Sequence, residues 1–292
     1  GCTALMFACR YMESEQIVTD LLKRGSSVAM NAATYEQGAT ALVYAAEAGH
    51  SASVRALLDA QADATLMMRN GETVLHQASH GGQTSIVEML LELDEIAKPS
   101  MIDHKSTDTG MTALMMACDF GQTETAAMLL KAKAQIDLQD DDGETALFLA
   151  ACDGQNSTID MLLASGASVN LAANDGETCL MVACHYGHIQ SVRLLLAHGA
   201  SVQLADSEGQ TALMALCLFN QPSDEKLIKM LIHASADLTD QMLKTGSTAL
   251  HLAVDSEHPD AVAALLKAGA DPERARDDGH TALSLAFMHG YA

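Results

Sequence analysis

The chain carries one short motif, G-x-T-x-L, nine times in register. The copies begin at glycines spaced 33 to 39 residues apart: Gly1, Gly38, Gly71, Gly110, Gly143, Gly176, Gly209, Gly246 and Gly279. Self-similarity at a fixed period in this range is the signature of a solenoid, in which each repeat packs only against its neighbours. The pattern predicts a stack of equivalent repeats with a long exposed surface and no enclosed reaction chamber.

One repeat, residues 143–175, shows how the motif builds a pair of helices. Thr145 is a typical N-cap for a first helix, which Gly154 ends. Apolar residues at helical spacing predict a second helix from about Ser157 to Ala164. Gly166 suits the left-handed residue that terminates a helix, and the Asn, Asp and Gly that follow predict a projecting turn.

These features resemble the ankyrin repeat. The shared elements are G-x-T-x-L-x-x-A, the Gly-His turns at 49–50 and 187–188, the Leu-Leu pair of the second helix, and G-A-x-V at 166–169 and 199–202. The resemblance covers essentially the whole chain. It implies an all-α solenoid of stacked helix-turn-helix repeats joined by β-hairpin fingers, with partners bound by the fingers and the exposed end of each first helix.

The chain departs from the family pattern in two places. The proline after the threonine is absent from every copy, which removes a small bias toward helix initiation. The histidine after the leucine is kept only at His76 and His251. The usual hydrogen bonds between adjacent fingers are therefore not expected in the other copies, although the fold is.

The domain organisation is read as a single array over residues 1–292. Its repeats are 1–37, 38–70, 71–109, 110–142, 143–175, 176–208, 209–245, 246–278 and a partial copy, 279–292. The first residue already lies within a repeat, and Leu283 and Phe287 resemble an interior helix, so we interpret the chain as a fragment of a longer protein. Insertions lengthen the finger at 31–37, the connector at 93–109 and the turn at 219–223.

Charge and cysteine usage limit the partners and the compartment. Thirty-eight acidic residues against 16 Lys and Arg give a net charge of −22. Such a field repels nucleic acid and anionic lipid and attracts basic partners. The odd total of seven cysteines, four of them at the small-residue position of a repeat, argues against disulfides. We expect a reducing compartment, the cytoplasm or alternatively the nucleus, and no membrane insertion.

Few residues suggest chemistry. Cys179, Cys184, His185 and His188 are close in sequence, but the repeat geometry turns them to different sides, so a zinc site is the less favoured interpretation. No phosphate loop or dinucleotide fingerprint occurs, and basic groups for a nucleotide phosphate are scarce. We therefore expect no cofactor, no metal and no small-molecule substrate.

A catalytic alternative uses three polar residues of the expected groove. His80, Asp119 and Asp153 could approach one another across repeats 3 to 5. Acid-base catalysis needs burial that separates pKa values, whereas these residues are expected on a solvated face. The non-enzymatic interpretation is favoured.

The strongest binding signal is a column of aromatic residues. Eight residues after the motif threonine stand Tyr11, Phe120, Tyr186 and Phe219, four of the ten aromatic residues of the chain. We interpret them as exposed anchors on the inner wall of the stack, because aromatic residues dominate the energetics of interfaces. The alternative is that the rings pack only against neighbouring fingers.

Acidic residues accompany this column. The candidate partner-binding set combines the four aromatic residues with carboxylates of the helix ends and fingers: Asp119, Asp141, Asp142, Glu144, Asp153, Asp175, Glu177 and Glu208. The sequence thus predicts a non-catalytic protein-interaction module whose partner offers a basic, partly apolar segment. Two alternatives remain: a structural spacer or scaffold of a larger assembly, and the targeting module of an enzyme whose catalytic part lies elsewhere.

Overall fold

The computed structural model describes residues 2–12, 15–24, 30–218 and 224–290. These residues form eighteen α-helices and no sheet. The chain divides into two compact units, unit 1 (residues 1–146) and unit 2 (residues 147–292). The insertion at 219–223 and the aromatic candidate Phe219 lie outside the described residues.

Unit 1 is built from paired helices. Its described helices are α1 (Ala4–Tyr11), α2 (Glu15–Lys23), α3 (Ala41–Glu47), α4 (Ser51–Asp59), α5 (Val74–His80), α6 (Thr84–Leu91), α7 (Pro99–Ile102), α8 (Ala113–Asp119) and α9 (Thr123–Lys131). First helices pack on first helices in the order α1, α3, α5, α8, and second helices pack in the order α2, α4, α6, α9. The short helix α7 lies in the inserted connector and begins at Pro99, where a proline is well tolerated.

Unit 2 repeats the same arrangement. Its described helices are α10 (Ala146–Cys152, whose first residue closes unit 1), α11 (Asn156–Ala164), α12 (Cys179–His185), α13 (Ile189–Ala197), α14 (Ala212–Leu218), α15 (Asp224–His233), α16 (Ala249–Asp255), α17 (Pro259–Lys267) and α18 (Ala282–Met288). The first helices α12, α14, α16 and α18 pack in series, and so do the second helices α11, α13, α15 and α17. The predicted helical pairs are confirmed in both units.

The motif threonine caps the first helix of the repeat. The hydroxyl oxygen of Thr112 accepts a hydrogen bond from the N–H of Met115 at 3.3 Å, and Thr178 accepts one from Met181 at 3.4 Å. Each satisfies one amide of the first turn that has no helical partner. In the repeat at 143–175, Gly166 adopts the expected left-handed conformation (φ +91°), and Gly154, which is expected only to end the first helix, also has positive φ (+65°).

Where a bridge forms, the finger is a short hairpin that encloses the motif glycine. Isolated antiparallel bridges join Gln139 to Thr145 and Ala172 to Thr178. Adjacent fingers are linked by backbone hydrogen bonds: the Asp141 N–H donates to the Thr109 carbonyl at 3.0 Å, and the Ser207 N–H donates to the Asp175 carbonyl at 2.7 Å. The expected loss of hydrogen bonds between fingers is therefore wrong for these backbone bonds, because they do not need the histidine side chain.

The retained histidine and the methionines that replace it both accept a hydrogen bond from the N–H of the capping threonine. In one of the two repeats that keep the histidine, the Thr73 N–H donates to His76 Nδ1 at 3.2 Å, while Nε2 of the same ring contacts the Met111 carbonyl at 3.2 Å. Where methionine replaces it, the thioether sulfur accepts from the capping threonine, as in Thr112 N–H to Met115 Sδ at 3.3 Å. The cap is preserved, and only the side-chain bond to the next finger is lost.

The core consists of thin layers of small and branched residues. Cys9, Cys118, Cys184 and Cys217 are fully buried at the small-residue position of their repeats, as predicted. All seven cysteines are thiols. Burial raises the pKa of the Cys9 thiol to about 12 and also raises that of Cys118, where Asp119 adds to the effect.

Candidate partner-binding surfaces

The aromatic column lies where each first helix ends. Tyr11 is the last residue of α1, and Phe120 and Tyr186 directly follow α8 and α12. The exposed fractions of these residues are 64%, 51% and 51%. None of the three is hidden beneath the packed helices, which is the condition for an aromatic anchor.

In unit 1, Phe120 is held by a histidine of the preceding repeat. The rings of His80 and Phe120 meet edge to face, with centroids 4.1 Å apart and planes at 88°. Asp119, the last residue of α8, directly precedes Phe120 and is half-buried. The contact orients one face of the Phe120 ring and leaves about half of the residue exposed to solvent.

The finger at residues 139–145 is organised by a carboxylate. Asp140 Oδ1 accepts from the N–H groups of Asp142 at 3.0 Å and Glu144 at 2.8 Å. Its pKa is raised, chiefly by burial and partly by repulsion from Asp141 and Asp142, while the two backbone hydrogen bonds oppose the rise. Asp140 thus builds the turn, and the exposed carboxylates beside it carry the negative surface.

A glycine allows the approach of Asp141. Gly110 has φ +72°, and a Cβ built on it would lie 2.4 Å from Asp141 Oδ1 and 2.7 Å from the Asp141 backbone nitrogen. Only glycine accommodates both this dihedral angle and this contact. The motif glycine therefore positions the acidic finger that follows it.

In unit 2, Tyr186 lies within a cluster of polar side chains. Its hydroxyl forms a hydrogen bond with the Cys152 side chain. Its ring lies 4.7 Å from that of His185 and stacks at 6.1 Å on that of His188. The pKa of Tyr186 is raised, mainly by Cys152 and by partial burial, and then by the charges of Glu177 and Asp153.

Carboxylates of neighbouring fingers approach one another beside this tyrosine. The pKa of Glu177 is raised by burial and by repulsion from Asp175 and Asp206. Asp175 Oδ1 accepts from the Glu177 N–H at 2.9 Å, and Asp206 Oδ1 accepts from Glu208 and Gln210 at 2.8 Å each. The charges of Asp175 and Asp206 repel that of Glu177, so a cation placed beside these three carboxylates would be stabilised.

Glu208 has a different environment from the other acidic candidates. Its carboxylate forms an ion pair with Lys244 of the following finger. A partner would have to replace this lysine to use Glu208.

The cysteine and histidine group of the same repeat does not form a centre. Cys179 and Cys184 are buried, whereas His185 and His188 are partly exposed. Within the described residues, no three His, Cys, Asp or Glu side chains are placed to hold a metal ion. His188 instead contacts the Cys152 carbonyl through Nε2 at 2.9 Å, which ties two repeats together.

Sequence reasoning missed two features of these surfaces. The hydrogen bond between Cys152 and Tyr186 could not be predicted, because it depends on which residue of the preceding repeat faces Tyr186. The structural use of Asp140 and Asp206 could have been recognised, since Asp two or three residues before a finger glycine is a common turn-forming arrangement.

The chain is thus a helical repeat protein with exposed aromatic and acidic surfaces in each unit. The model of the ankyrin-repeat family, described as ankyrin repeats (3 copies), matches residues 5–101, 93–173, 162–241 and 217–292. The chain belongs to the ankyrin-repeat family. Members of this family are generally non-catalytic protein-interaction modules, and a protein-binding function follows for this chain. Among the described helices, none combines the length and apolar character needed to cross a bilayer.

Proposed function

We propose that the chain binds a basic, partly apolar segment of a partner protein, and that each unit contributes one acidic and aromatic surface to this task. In unit 2 the surface comprises Tyr186, Asp153, Asp175 and Glu177. In unit 1 it comprises Phe120, Asp119, Asp141, Asp142 and Glu144. Phe219, Tyr11 and Glu208 are secondary candidates: the first is outside the described residues, and Glu208 already pairs with Lys244.

The observation that carries the proposal is the half-exposed Tyr186 ring bordered by carboxylates. Asp153 and Glu177 are near enough to raise its pKa, and Asp175 and Asp206 raise that of Glu177. A Lys or Arg of the partner would relieve this repulsion, while an adjacent apolar side chain would cover the ring. The charges would mainly set the association rate and specificity, and the aromatic contact would slow dissociation.

The unit 1 surface supports the same partner chemistry. Asp141 and Asp142 are exposed and repel the charge of Asp140. Phe120 is exposed and oriented by His80. The two surfaces need not act together, so each is tested by its own variants.

The test uses a fluorescently labelled peptide with alternating lysine and leucine residues and a matched peptide with glutamate in place of lysine. We expect the lysine peptide to bind with an affinity that falls as salt is added, and the glutamate peptide not to bind. In the unit 2 variant Asp153→Asn, Asp175→Asn, Glu177→Gln, association should slow about tenfold, and its salt dependence should flatten. Asn at position 175 retains an oxygen that can accept from the Glu177 N–H.

A matched control neutralises three exposed carboxylates elsewhere in unit 2. Asp160→Asn, Asp260→Asn and Glu273→Gln remove the same charge but lie on second helices and on a different turn. Equal slowing in both variants would mean that net charge alone attracts the peptide, and the proposed surface would be wrong. In unit 1, the double variant Asp141→Lys, Asp142→Lys should likewise slow association of the lysine peptide. In unit 2, Tyr186→Ala should accelerate its dissociation.

A second candidate function rests on one apolar surface of unit 2. Leu283 and Phe287 of α18 are 53% and 81% exposed, whereas the equivalent Leu250 of α16 is 2% exposed. This favours a scaffold function, in which another helical element stacks on α18. Sedimentation of the chain and of Leu283→Glu distinguishes the cases: a self-associating or partner-bound species that the variant abolishes would support the scaffold.

The compartment is also part of the proposal. Seven cysteines as thiols, most of them in the core, suit a reducing environment. We place the chain in the cytoplasm, with the nucleus as the alternative.

A further inference from the structure

A cleft in unit 1 has a composition unlike the acidic surfaces. It lies between α1, the lengthened finger at 31–37 and α3, and has a volume of about 690 Å³. Four aromatic residues line it, Phe7, Tyr11, Tyr35 and Tyr44. These are four of the ten aromatic residues of the chain, and only Tyr11 belongs to the column predicted from the sequence.

The rings form an exposed apolar wall over a buried base. Phe7 and Tyr11 contact each other with centroids 4.9 Å apart. Phe7 is 52% and Tyr35 78% exposed, whereas Tyr44 is buried and its hydroxyl donates to Gln37 Oε1 at 3.4 Å. Contiguous exposed aromatic surface of this kind marks an interaction site, because covering it with an apolar group is favourable.

Three of these rings, those of Tyr11, Tyr35 and Tyr44, already have an arginine over one face. The Arg10 guanidinium lies 4.8 Å from the centroid of Tyr44 and 5.6 Å from that of Tyr11. Arg69 lies 5.0 Å from the centroid of Tyr35. The cation sites of the cleft are thus taken by residues of the chain itself, and a further cation would meet their repulsion.

Arg10 is placed to receive a carboxylate. Its guanidinium forms an ion pair with Glu47 at 3.9 Å, a separation beyond hydrogen-bond distance, so a partner's carboxylate would compete only with this long contact. The planar fork of arginine matches a carboxylate in a bidentate arrangement. Among the described residues of the lining, Glu36 on the finger is the one that is acidic, and it opposes such a ligand from an exposed position.

We propose that this cleft is a docking pocket for an aromatic side chain of a partner polypeptide that stands directly next to an aspartate or glutamate. The ring stacks on Phe7, Tyr11 and Tyr35, and the neighbouring carboxylate accepts hydrogen bonds from Arg10. The site has the opposite charge preference to the acidic surfaces of the two units. It does not depend on their function.

The absence of tryptophan from the chain provides a direct assay. Short peptides that contain Trp-Asp, Trp-Asn, Trp-Lys or Ala-Asp at their centre are titrated with the full chain, and the fluorescence of the peptide Trp reports binding. Ala-Asp is measured by competition. We expect Trp-Asp to bind tighter than Trp-Asn, and both to bind tighter than Trp-Lys and Ala-Asp. Tightest binding by Trp-Lys would identify a cation pocket and overturn the proposal.

Variants of the cleft test separately the contact of Arg10 with the carboxylate and the stacking of the aromatic rings. Arg10→Gln should weaken Trp-Asp about tenfold, to the level of Trp-Asn, because a charge-assisted hydrogen bond is lost. Arg10→Lys should recover only part of this, and Glu36→Gln should strengthen Trp-Asp binding. Tyr35→Ala should weaken every Trp peptide about threefold to tenfold.

The control variant is Leu243→Ala, which removes a 73% exposed apolar residue of unit 2. It should leave all affinities unchanged. An equal loss in Leu243→Ala and Tyr35→Ala would mean non-specific apolar adhesion. Since Arg10 contacts the buried Tyr44, circular dichroism and thermal unfolding of each variant check the fold. A folded Arg10→Gln with unaltered Trp-Asp affinity refutes the assignment, whatever the acidic surfaces bind.

Discussion

The edge of the His80 ring packs on the Phe120 ring with centroids 4.1 Å apart and planes at 88°. The two residues occupy neighbouring repeats of unit 1, at the end of α5 and directly after α8. This contact couples the stacking of the repeats to the presentation of an exposed aromatic residue. Its energetic value can be measured without knowledge of the partner.

We predict a coupling free energy of about 0.5–1.5 kcal/mol between His80 and Phe120, the range of aromatic pairs. The measurement is a double-mutant cycle of His80→Ala and Phe120→Ala, followed by urea unfolding. Each single variant should cost little, because both residues are exposed. Strictly additive losses would mean that the two rings are merely adjacent and that Phe120 is not held by His80.

The helical pairs could be predicted because their signals are local. The second helix expected from Ser157 to Ala164 is observed over Asn156–Ala164, and the threonine caps and left-handed glycines stand where the motif requires them. Apolar spacing, a capping side chain and a glycine all act within a few residues. A sequence records such features directly.

The environment of each candidate residue could not be predicted in the same way. The exposure of Phe120 and Tyr186 followed from their place in the repeat, but the hydrogen bond from Tyr186 to Cys152 and the ion pair of Glu208 with Lys244 join different repeats. The aromatic cleft likewise assembles Phe7, Tyr35 and Tyr44 from two helices and an inserted finger. Such contacts depend on the stagger between repeats, which the motif spacing leaves undetermined.

We predict that His76 makes the stability of the chain depend on pH. Burial lowers its pKa from 6.5 to about 4, with a smaller contribution from the charge of the nearby His104, while hydrogen bonds to the Met111 and His104 carbonyls oppose the shift. Between these two values the unfolded chain binds a proton that folded His76 does not, so stability falls as the pH falls through this window. Over the whole window, the free energy of unfolding should fall by about 3 kcal/mol.

The measurement is urea unfolding at several pH values between these limits, with His76→Gln as the variant. The variant should be less stable near neutral pH, because the bonds to Thr73 and to the next finger are altered, yet its stability should change less on acidification. His233→Gln, at an exposed position in unit 2, is the control and should keep the slope of the parent. An unchanged slope in His76→Gln would contradict the assignment.

We predict that Gly110→Ala destabilises the chain more than Gly166→Ala. Both glycines have positive φ, +72° and +91°, so alanine at either position costs a backbone penalty of about 1–2 kcal/mol. At Gly166 nothing lies within 4 Å of the added Cβ, whereas at Gly110 it meets the Asp141 carboxylate and backbone. The extra cost should be at least about 1 kcal/mol.

Thermal and urea unfolding of the two variants measure this difference. Gly110→Ala with Asp141→Ala separates the side-chain clash from the backbone clash: partial recovery is expected, because the Asp141 nitrogen stays in place. If the two glycine variants were equally stable, the finger would be free to move away from Gly110. The acidic surface of unit 1 would then be less rigid than the contact implies.

We predict that the cysteines react in an order set by burial. Cys2 is exposed, whereas Cys9 and Cys118 are fully buried and their thiols have raised pKa values, that of Cys9 about 12. Alkylation proceeds through the thiolate, so the two buried thiols should remain unmodified in the folded chain near neutral pH while Cys2 is labelled rapidly. Mass spectrometry of peptides after brief iodoacetamide treatment gives the order, and the same treatment in urea, which should label all three, shows that folding alone protects them. Rapid labelling of Cys118 in the native chain would mean that α8 separates from its neighbours in unit 1, and the small-residue position would then not be the permanent packing contact that its complete burial indicates.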